Sequence, residues 1–223
     1  MRDIIFPLAY FMIRKVTMKK FIFIFLSIIS ISLAQAEPNN QAPDQFVDTM
    51  ITDVITTLKN NNELIRNHEK MSAYVDSQII PHFDVALMAR KIVGEQAWDK
   101  ASSDEKSNLS LELKLFYEHL FAKTLAEYTD QTVKISSFIF NANKDEAIVK
   151  GELLEKAEEN SSLSFRLKAN AAEWKIANIT VGGVDLISTY QSNFKSIVNE
   201  GGVAKLADEL HKKNQALLLL KKS

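Results

Sequence analysis

The stretch from residue 116 to residue 140, FYEHLFAKTLAEYTDQTVKISSFIF, changes its apolar period halfway along. Before Asp130 the large apolar side chains recur every three or four residues, which is the spacing of one helix face. After Asp130 apolar and polar residues alternate, which is the spacing of a strand with one buried face. The switch puts helices before residue 130 and strands after it, and therefore predicts an α+β domain.

Helical patterns precede this stretch. The first begins at Asp44, which we expect to be its N-cap, and ends near residues 60–62. A second runs from about Glu63 to Ile79, because the residue before Pro81 avoids helical geometry. A third has Asp84 as N-cap and Gly94 at its end.

The next helix is the longest and most apolar. It opens with a capping box, Ser102-x-x-Glu105, in which the two side chains satisfy each other's backbone N–H groups. Its large side chains are predicted to share one face: Leu109, Leu113, Phe116, Leu120, Phe121 and Leu125.

Four strands are predicted at Thr132–Asn141, Glu146–Glu155, Ser161–Asn170 and Glu173–Val181. Short polar turns join them, which favours an antiparallel meander. Because polar and apolar residues alternate, one sheet face is apolar and the other is solvated. We therefore expect one curved, four-stranded antiparallel sheet whose apolar face is covered by several helices, two of which follow the last strand.

Residues 1–36 have the pattern of an export signal, with Met18 as the expected start of translation. Met18-Lys19-Lys20 is basic, Phe21–Leu33 is almost wholly apolar, and Ala34-Gln35-Ala36 is a small-x-small cleavage motif. The apolar run would span about 20 Å as a helix, against a hydrocarbon core of about 30 Å. A membrane anchor that also uses Ile4–Ile13 is the alternative.

We expect cleavage after Ala36, a flexible lead-in over residues 37–43, and a single domain over residues 44–223. Of the 27 basic and 28 acidic residues, five basic and one acidic lie in the leader. The remainder has 22 basic and 27 acidic residues, a net charge of −5, which argues against nucleic acid as a partner. The chain has no cysteine, which excludes disulfides and thiolate ligands. A leader of this type predicts a periplasmic location.

The four histidines do not have the spacing of a metal site, and we predict none. His82 and Asp84 form the best candidate for a catalytic pair, since a carboxylate can orient an imidazole as general base. However, Asp84 is also placed to cap a helix. The apolar faces of the predicted helices and strands also have two interpretations, because periodicity cannot distinguish side chains that fill a core from those that line a ligand pocket.

Several motifs, taken in order, resemble the MlaC family, also called the toluene-tolerance auxiliary family. Its Pro-x-x-Asp, Met-Ala-Arg and Gly…Trp segments are similar to residues 80–98 here, which contain IPHFD, MAR and VGEQAW. Three further segments agree in order and spacing: Phe116–Tyr128, Glu173–Ile176, and Gly183–Ile187 with Tyr190 and Phe194. Two positions depart from the pattern, because Asp185 stands where Ser is common and Gln191 where Arg is common.

The resemblance implies a cone-shaped fold related to nuclear-transport-factor-like proteins, with an internal apolar cavity. It implies a periplasmic phospholipid carrier that is not an enzyme and uses no cofactor. Such a carrier shuttles lipid between an outer-membrane lipoprotein–porin complex and the substrate-binding component of an inner-membrane ABC transporter, which maintains outer-membrane asymmetry. We expect a monomer.

A carrier of this kind must shield acyl chains from water, since exposure costs about 0.8 kcal/mol per CH₂ group, or on the order of 20 kcal/mol for two chains. Two tails need a cavity near or above the upper end of the ~300–1,000 Å³ range of ligand sites. The predicted lipid-binding residues are Ile92, Val93, Trp98, Phe116, Leu120, Phe165, Trp174, Ile176, Val184 and Leu186.

Two alternatives remain open from the residues. One is a small periplasmic enzyme of the same fold, an isomerase or dehydratase that acts on an apolar substrate through His82 and Asp84 or through His119. The other is a structural or chaperone-like domain with a filled core.

Overall fold

The computed structural model describes residues 41–128, 130–154, 160–170 and 173–220. The predicted leader and residues 37–40 lie outside this part of the chain. The helices within it are α1 (Pro43–Asn60), α2 (Asn62–Arg66), α3 (His68–Tyr74), α4 (Val85–Val93), α5 (Glu95–Lys100), α6 (Ser103–Ala126) and α7 (Leu186–Leu220). A π-helical turn, Val75–Ile79, and a 3-10 turn, Ile80–His82, join α3 to α4.

The strands form one antiparallel sheet in the order in which they occur along the chain. The predicted α+β architecture is confirmed. The strands are β1 (Thr132–Phe140), β2 (Glu146–Leu154), β3 (Ser161–Asn170), β4 (Glu173–Val181) and β5 (Val184–Asp185).

Within the described residues the sheet has five strands, so the predicted count of four is wrong. Gly182 and Gly183 have φ angles of 56° and 82°, which a residue with a Cβ adopts at a cost. They turn the chain back on itself, and Val184 pairs with Val181. A strand of two residues has too short a pattern to be recognised from the sequence.

Two expectations about the N-terminal helices are also wrong. The N-cap of α1 is Ala42 rather than Asp44, because Pro43 occupies the first helical position, where its fixed φ fits and its missing N–H costs nothing. The continuous helix predicted from Glu63 is interrupted at Asn67, whose side chain accepts a hydrogen bond from the N–H of Lys70 and so starts α3.

The other local signals are confirmed. The Asp84 carboxylate accepts a hydrogen bond from the N–H of Leu87 at 2.9 Å and caps α4. Gly94 ends α4 with a φ of 81°. Ser102 and Glu105 form the predicted capping box at the start of α6.

Helix α6 is apolar on more than one side. Phe121 and Leu125 face the sheet and α1, whereas Phe116 packs edge-to-face on Tyr190 of α7 at 5.2 Å between ring centroids. The residues predicted to share one face are therefore divided between two neighbours. On the α7 side the buried carboxylate of Glu112 accepts one hydrogen bond from Asn214 Nδ2 and is hydrogen-bonded to His211 Nδ1, each at 2.8 Å.

Helix α7 is broken at Gly201 and Gly202, where the backbone leaves helical geometry, as the sequence predicted. Within the described residues, no helix combines the length and the apolarity that a membrane span requires.

Replacing Asp84 by Ala should lower the free energy of unfolding by about 1 kcal/mol, because α4 loses its N-cap acceptor. Urea unfolding followed by circular dichroism measures the change. Asp84→Asn is the matched control, since an amide oxygen also caps a helix. An equal loss in both variants would contradict the capping role.

Candidate functional site

An apolar pocket of about 230 Å³ lies between α1, the C-terminal part of α6 and the sheet. Helix α1 supplies five wall residues at helical spacing, and the strands supply the opposite wall. The lining residues are Met50, Ile51, Val54, Ile55, Leu58, Ile79, Phe83, Phe121, Thr124, Leu125, Tyr128, Gln131, Val133, Leu153, Leu163, Phe165 and Ile179.

The strand wall follows from the sheet register. Leu163 and Phe165 are two residues apart on β3, so their side chains lie on the same face. Phe165 pairs with Ile179 of β4, which carries that face to the next strand. The alternation that predicted the strands therefore also builds one side of the pocket.

The pocket has very little polar character. None of the described residues that line it is charged. The hydroxyl of Tyr128 donates a hydrogen bond to the carbonyl oxygen of Gln131 at 3.1 Å, and burial raises the pKa of this tyrosine. A site of this kind can hold a hydrocarbon group, and it offers no acid or base for proton transfer at neutral pH.

The wall provided by α1 is not closed. Met50, Ile51, Val54 and Ile55 remain partly exposed, although the opposite wall residues Leu163 and Phe165 are buried. The pocket is therefore accessible along α1.

A second, polar pocket of about 320 Å³ lies on the adjacent face of this helix, between α1 and the segment Tyr74–His82. Met50 and Val54 line both pockets. We call it the polar pocket; its remaining lining residues are Asp53, Thr56, Thr57, Tyr74, Gln78 and His82.

His82 does not form the catalytic pair considered from the sequence. Its half-buried ring lies edge-on to Phe46 at 5.6 Å, and the Asp84 carboxylate caps α4. Burial, and then the positive charge of Lys175, lower the pKa of His82 below 6.5. Its imidazole is therefore neutral at pH 7.

The model of the MlaC protein family matches residues 48–212, which is most of the chain. The chain belongs to the MlaC family. The resemblance identified from the motifs is thus confirmed. None of the curated proteins matches the chain significantly.

One solved structure similar to this MlaC family member is the phospholipid-binding protein from Ralstonia solanacearum, in complex with a phospholipid. The two chains are 25% identical and superpose with a TM-score of 0.72. The match covers 80% of this chain and 99% of the other, so both share one fold over almost the whole of the Ralstonia protein.

The two departures from the MlaC family pattern have local roles. Asp185 accepts hydrogen bonds from Asn178 Nδ2 and from the N–H of Ser188 at 2.8 Å, so it acts at the start of α7 as a serine can. Gln191 Nε2 donates to the carbonyl oxygen of Lys91 at 3.4 Å.

Of the ten residues predicted from the sequence to bind lipid, Phe165 lies in the wall of the apolar pocket. Phe116 and Leu120 line a separate pocket of about 440 Å³ between α6 and α7, with Tyr190 and Lys213. The ammonium group of Lys213 lies 4.9 Å from the ring centroid of Phe116. The predicted set is thus divided by α6.

The other seven lie outside both of these pockets. Five of them pack in the core or at its edge: Ile92, Val93, Trp98, Trp174 and Ile176. Leu186 is half-buried at the start of α7, and Val184 in β5 is 64% exposed. Their part in lipid binding stays a prediction.

The sequence reasoning missed α1 as a pocket wall. Apolar residues recur at helical spacing along α1, but that pattern is the same whether the face fills a core or borders a space. The residues are Met50, Ile51, Val54, Ile55 and Leu58. The described residues contain no group of three or more histidine, aspartate or glutamate side chains that could hold a metal ion.

Replacing Lys175 by Met should raise the pKa of His82 toward 6.5, because it removes a neighbouring positive charge while burial persists. NMR titration of the His82 imidazole measures this pKa. Glu173→Gln is the opposite control and should lower this pKa further, since Glu173 favours the charged form of the His82 imidazole.

The folded pKa of His82 lies below its unfolded value. The stability that the neutral imidazole contributes to folding is therefore present above about pH 6.5 and is lost as the pH falls through the folded pKa. Shifts of the same sign in both variants would contradict this account.

Proposed function

We propose that this protein is a phospholipid carrier that holds acyl chains in the apolar pocket between α1, α6 and the sheet. The observation that carries the proposal is the uncharged lining of this pocket, in a chain of the MlaC family whose fold matches a phospholipid-bound structure. Each CH₂ group removed from water contributes about 0.8 kcal/mol, so an apolar wall supplies the main driving force.

The volume of the pocket bears on how lipid enters. About 230 Å³ is below the ~300–1,000 Å³ range of typical ligand sites and well below what two acyl chains require. The pocket therefore widens when lipid binds, and α1 is the wall that moves. Its pocket-facing residues are partly exposed, and Asn61 separates it from α2. We propose in addition that the protein has the cone shape and the internal cavity of nuclear-transport-factor-like proteins.

The proposed cellular role follows the family. The carrier acts in the periplasm and exchanges phospholipid between an outer-membrane lipoprotein–porin complex and the substrate-binding component of an inner-membrane ABC transporter. Family membership and the export signal predicted over residues 1–36 support this role. Phospholipid is then cargo rather than a cofactor, and the protein is not an enzyme.

Native mass spectrometry of protein purified from the periplasm without detergent tests the proposal. We expect a bound mass that matches a two-tailed phospholipid, which extraction then identifies. A clean apo mass, together with failure to take up lipid from vesicles, would contradict it.

Replacing Ile51 by Trp should weaken lipid binding by about 1–3 kcal/mol, the usual cost of overpacking an apolar site, because the larger ring fills the pocket. Transfer of lipid from vesicles measures the affinity. Leu111→Trp is the matched control, since Leu111 lies 54% exposed on α6 and lines neither pocket. Equal binding by both variants would place the lipid elsewhere.

A further inference from the structure

The polar pocket and the apolar pocket lie on adjacent faces of α1. Met50 and Val54 border both, whereas Asp53 and Thr57 face only the polar one. Across the crevice, Ile79 and Phe83 line the apolar pocket, and Gln78 and His82 line the polar one. The crevice between α1 and the segment Tyr74–His82 is therefore apolar on its inner side and polar on its outer side.

The polar pocket combines several neutral hydrogen-bonding groups with one negative charge. Thr56, Thr57 and Tyr74 offer hydroxyl groups and Gln78 offers an amide, all of which can donate to phosphate oxygens. Asp53 is the one charged side chain among its described lining residues, because the imidazole of His82 is neutral at pH 7.

Two lysines beside the segment Tyr74–His82 already have partners. Lys175 Nζ donates to the carbonyl oxygen of Pro81 and to Glu173, each at 2.8 Å. Lys114 forms an ion pair with Asp76 at 2.6 Å. The described residues that line the pocket include no lysine or arginine, so an anionic ligand would find neutral hydrogen-bond donors there and would face the carboxylate of Asp53.

We propose that the polar pocket receives the head group of the bound lipid and selects a zwitterionic head group, with a terminal ammonium, over a purely anionic one. This inference rests on the proposed function. The tails lie on the inner side of Met50 and Val54, the phosphate accepts hydrogen bonds from the neutral donors, and the ammonium pairs with Asp53. An exposed ion pair contributes about 0.2–1 kcal/mol, which corresponds to a preference of about 1.4- to fivefold.

Competition between two lipids tests the selection. The full protein is incubated with vesicles that contain equal amounts of phosphatidylethanolamine and phosphatidylglycerol with identical acyl chains, and native mass spectrometry gives the ratio of the two complexes. We expect wild-type protein to carry about 1.4- to fivefold more phosphatidylethanolamine. Asp53→Asn should bring the ratio close to one, and Asp53→Lys should invert it.

Asp48→Asn is the matched control. Asp48 is exposed on the same helix and lines neither pocket, so its removal changes the net charge equally and should leave the ratio unchanged. A wild-type ratio equal to that of the vesicles, or an equal shift in the Asp48 and Asp53 variants, would overturn the head-group site while lipid carriage stands. Absence of any bound lipid in wild-type protein would overturn both proposals.

Discussion

The architecture depends on one helix that packs its apolar side chains against neighbours on more than one side. Helix α6 presents Phe121 and Leu125 toward the sheet and Phe116 toward α7. Because both sides pack against other elements, the helix acts as a wall between two layers rather than as a cover on one of them. The polar connection between Glu112 and Asn214 fixes its position against α7, since a buried carboxylate requires its hydrogen-bond partners.

With α6 held by α7, the sheet and α1 remain to enclose the apolar pocket. A helix on the opposite side of the pocket can move without disturbing the α6–α7 contact, and this is the position of α1. The α6–α7 layer is thus held by a buried polar contact and an aromatic contact, whereas the crevice beside α1 is the route that we propose for lipid. The π-helical turn Val75–Ile79 forms the other side of this crevice, and such turns often occur at functional sites.

A carrier differs from an enzyme of similar size in the side chains that its pocket requires. Catalysis requires an acid or base whose pKa suits the reaction, whereas reversible transport requires an apolar wall without groups that bind too specifically. The described lining of the apolar pocket fits the second requirement, and the titratable groups His82 and Asp84 lie outside it, in an aromatic contact and a helix cap.

Local interactions were read correctly from the sequence because they involve residues a few positions apart. The change of period at Asp130, the cap at Asp84, the box formed by Ser102 and Glu105, and the helix end at Gly94 all belong to this class. The MlaC motifs were equally visible, since they are ordered along the chain. Where local signals competed, as at Pro43 and Asn67, the sequence could not decide which would prevail.

Only the tertiary structure decided which apolar side chains touch one another and which border a space. Phe116 and Phe121 belong to one apolar run in the sequence, yet they face opposite sides of α6, because their neighbours approach from different directions. Likewise, α1 reads as an ordinary core helix until the sheet is placed opposite it. Periodicity determines which face of an element is apolar, but the distance to the facing element determines whether that face fills a core or lines a pocket.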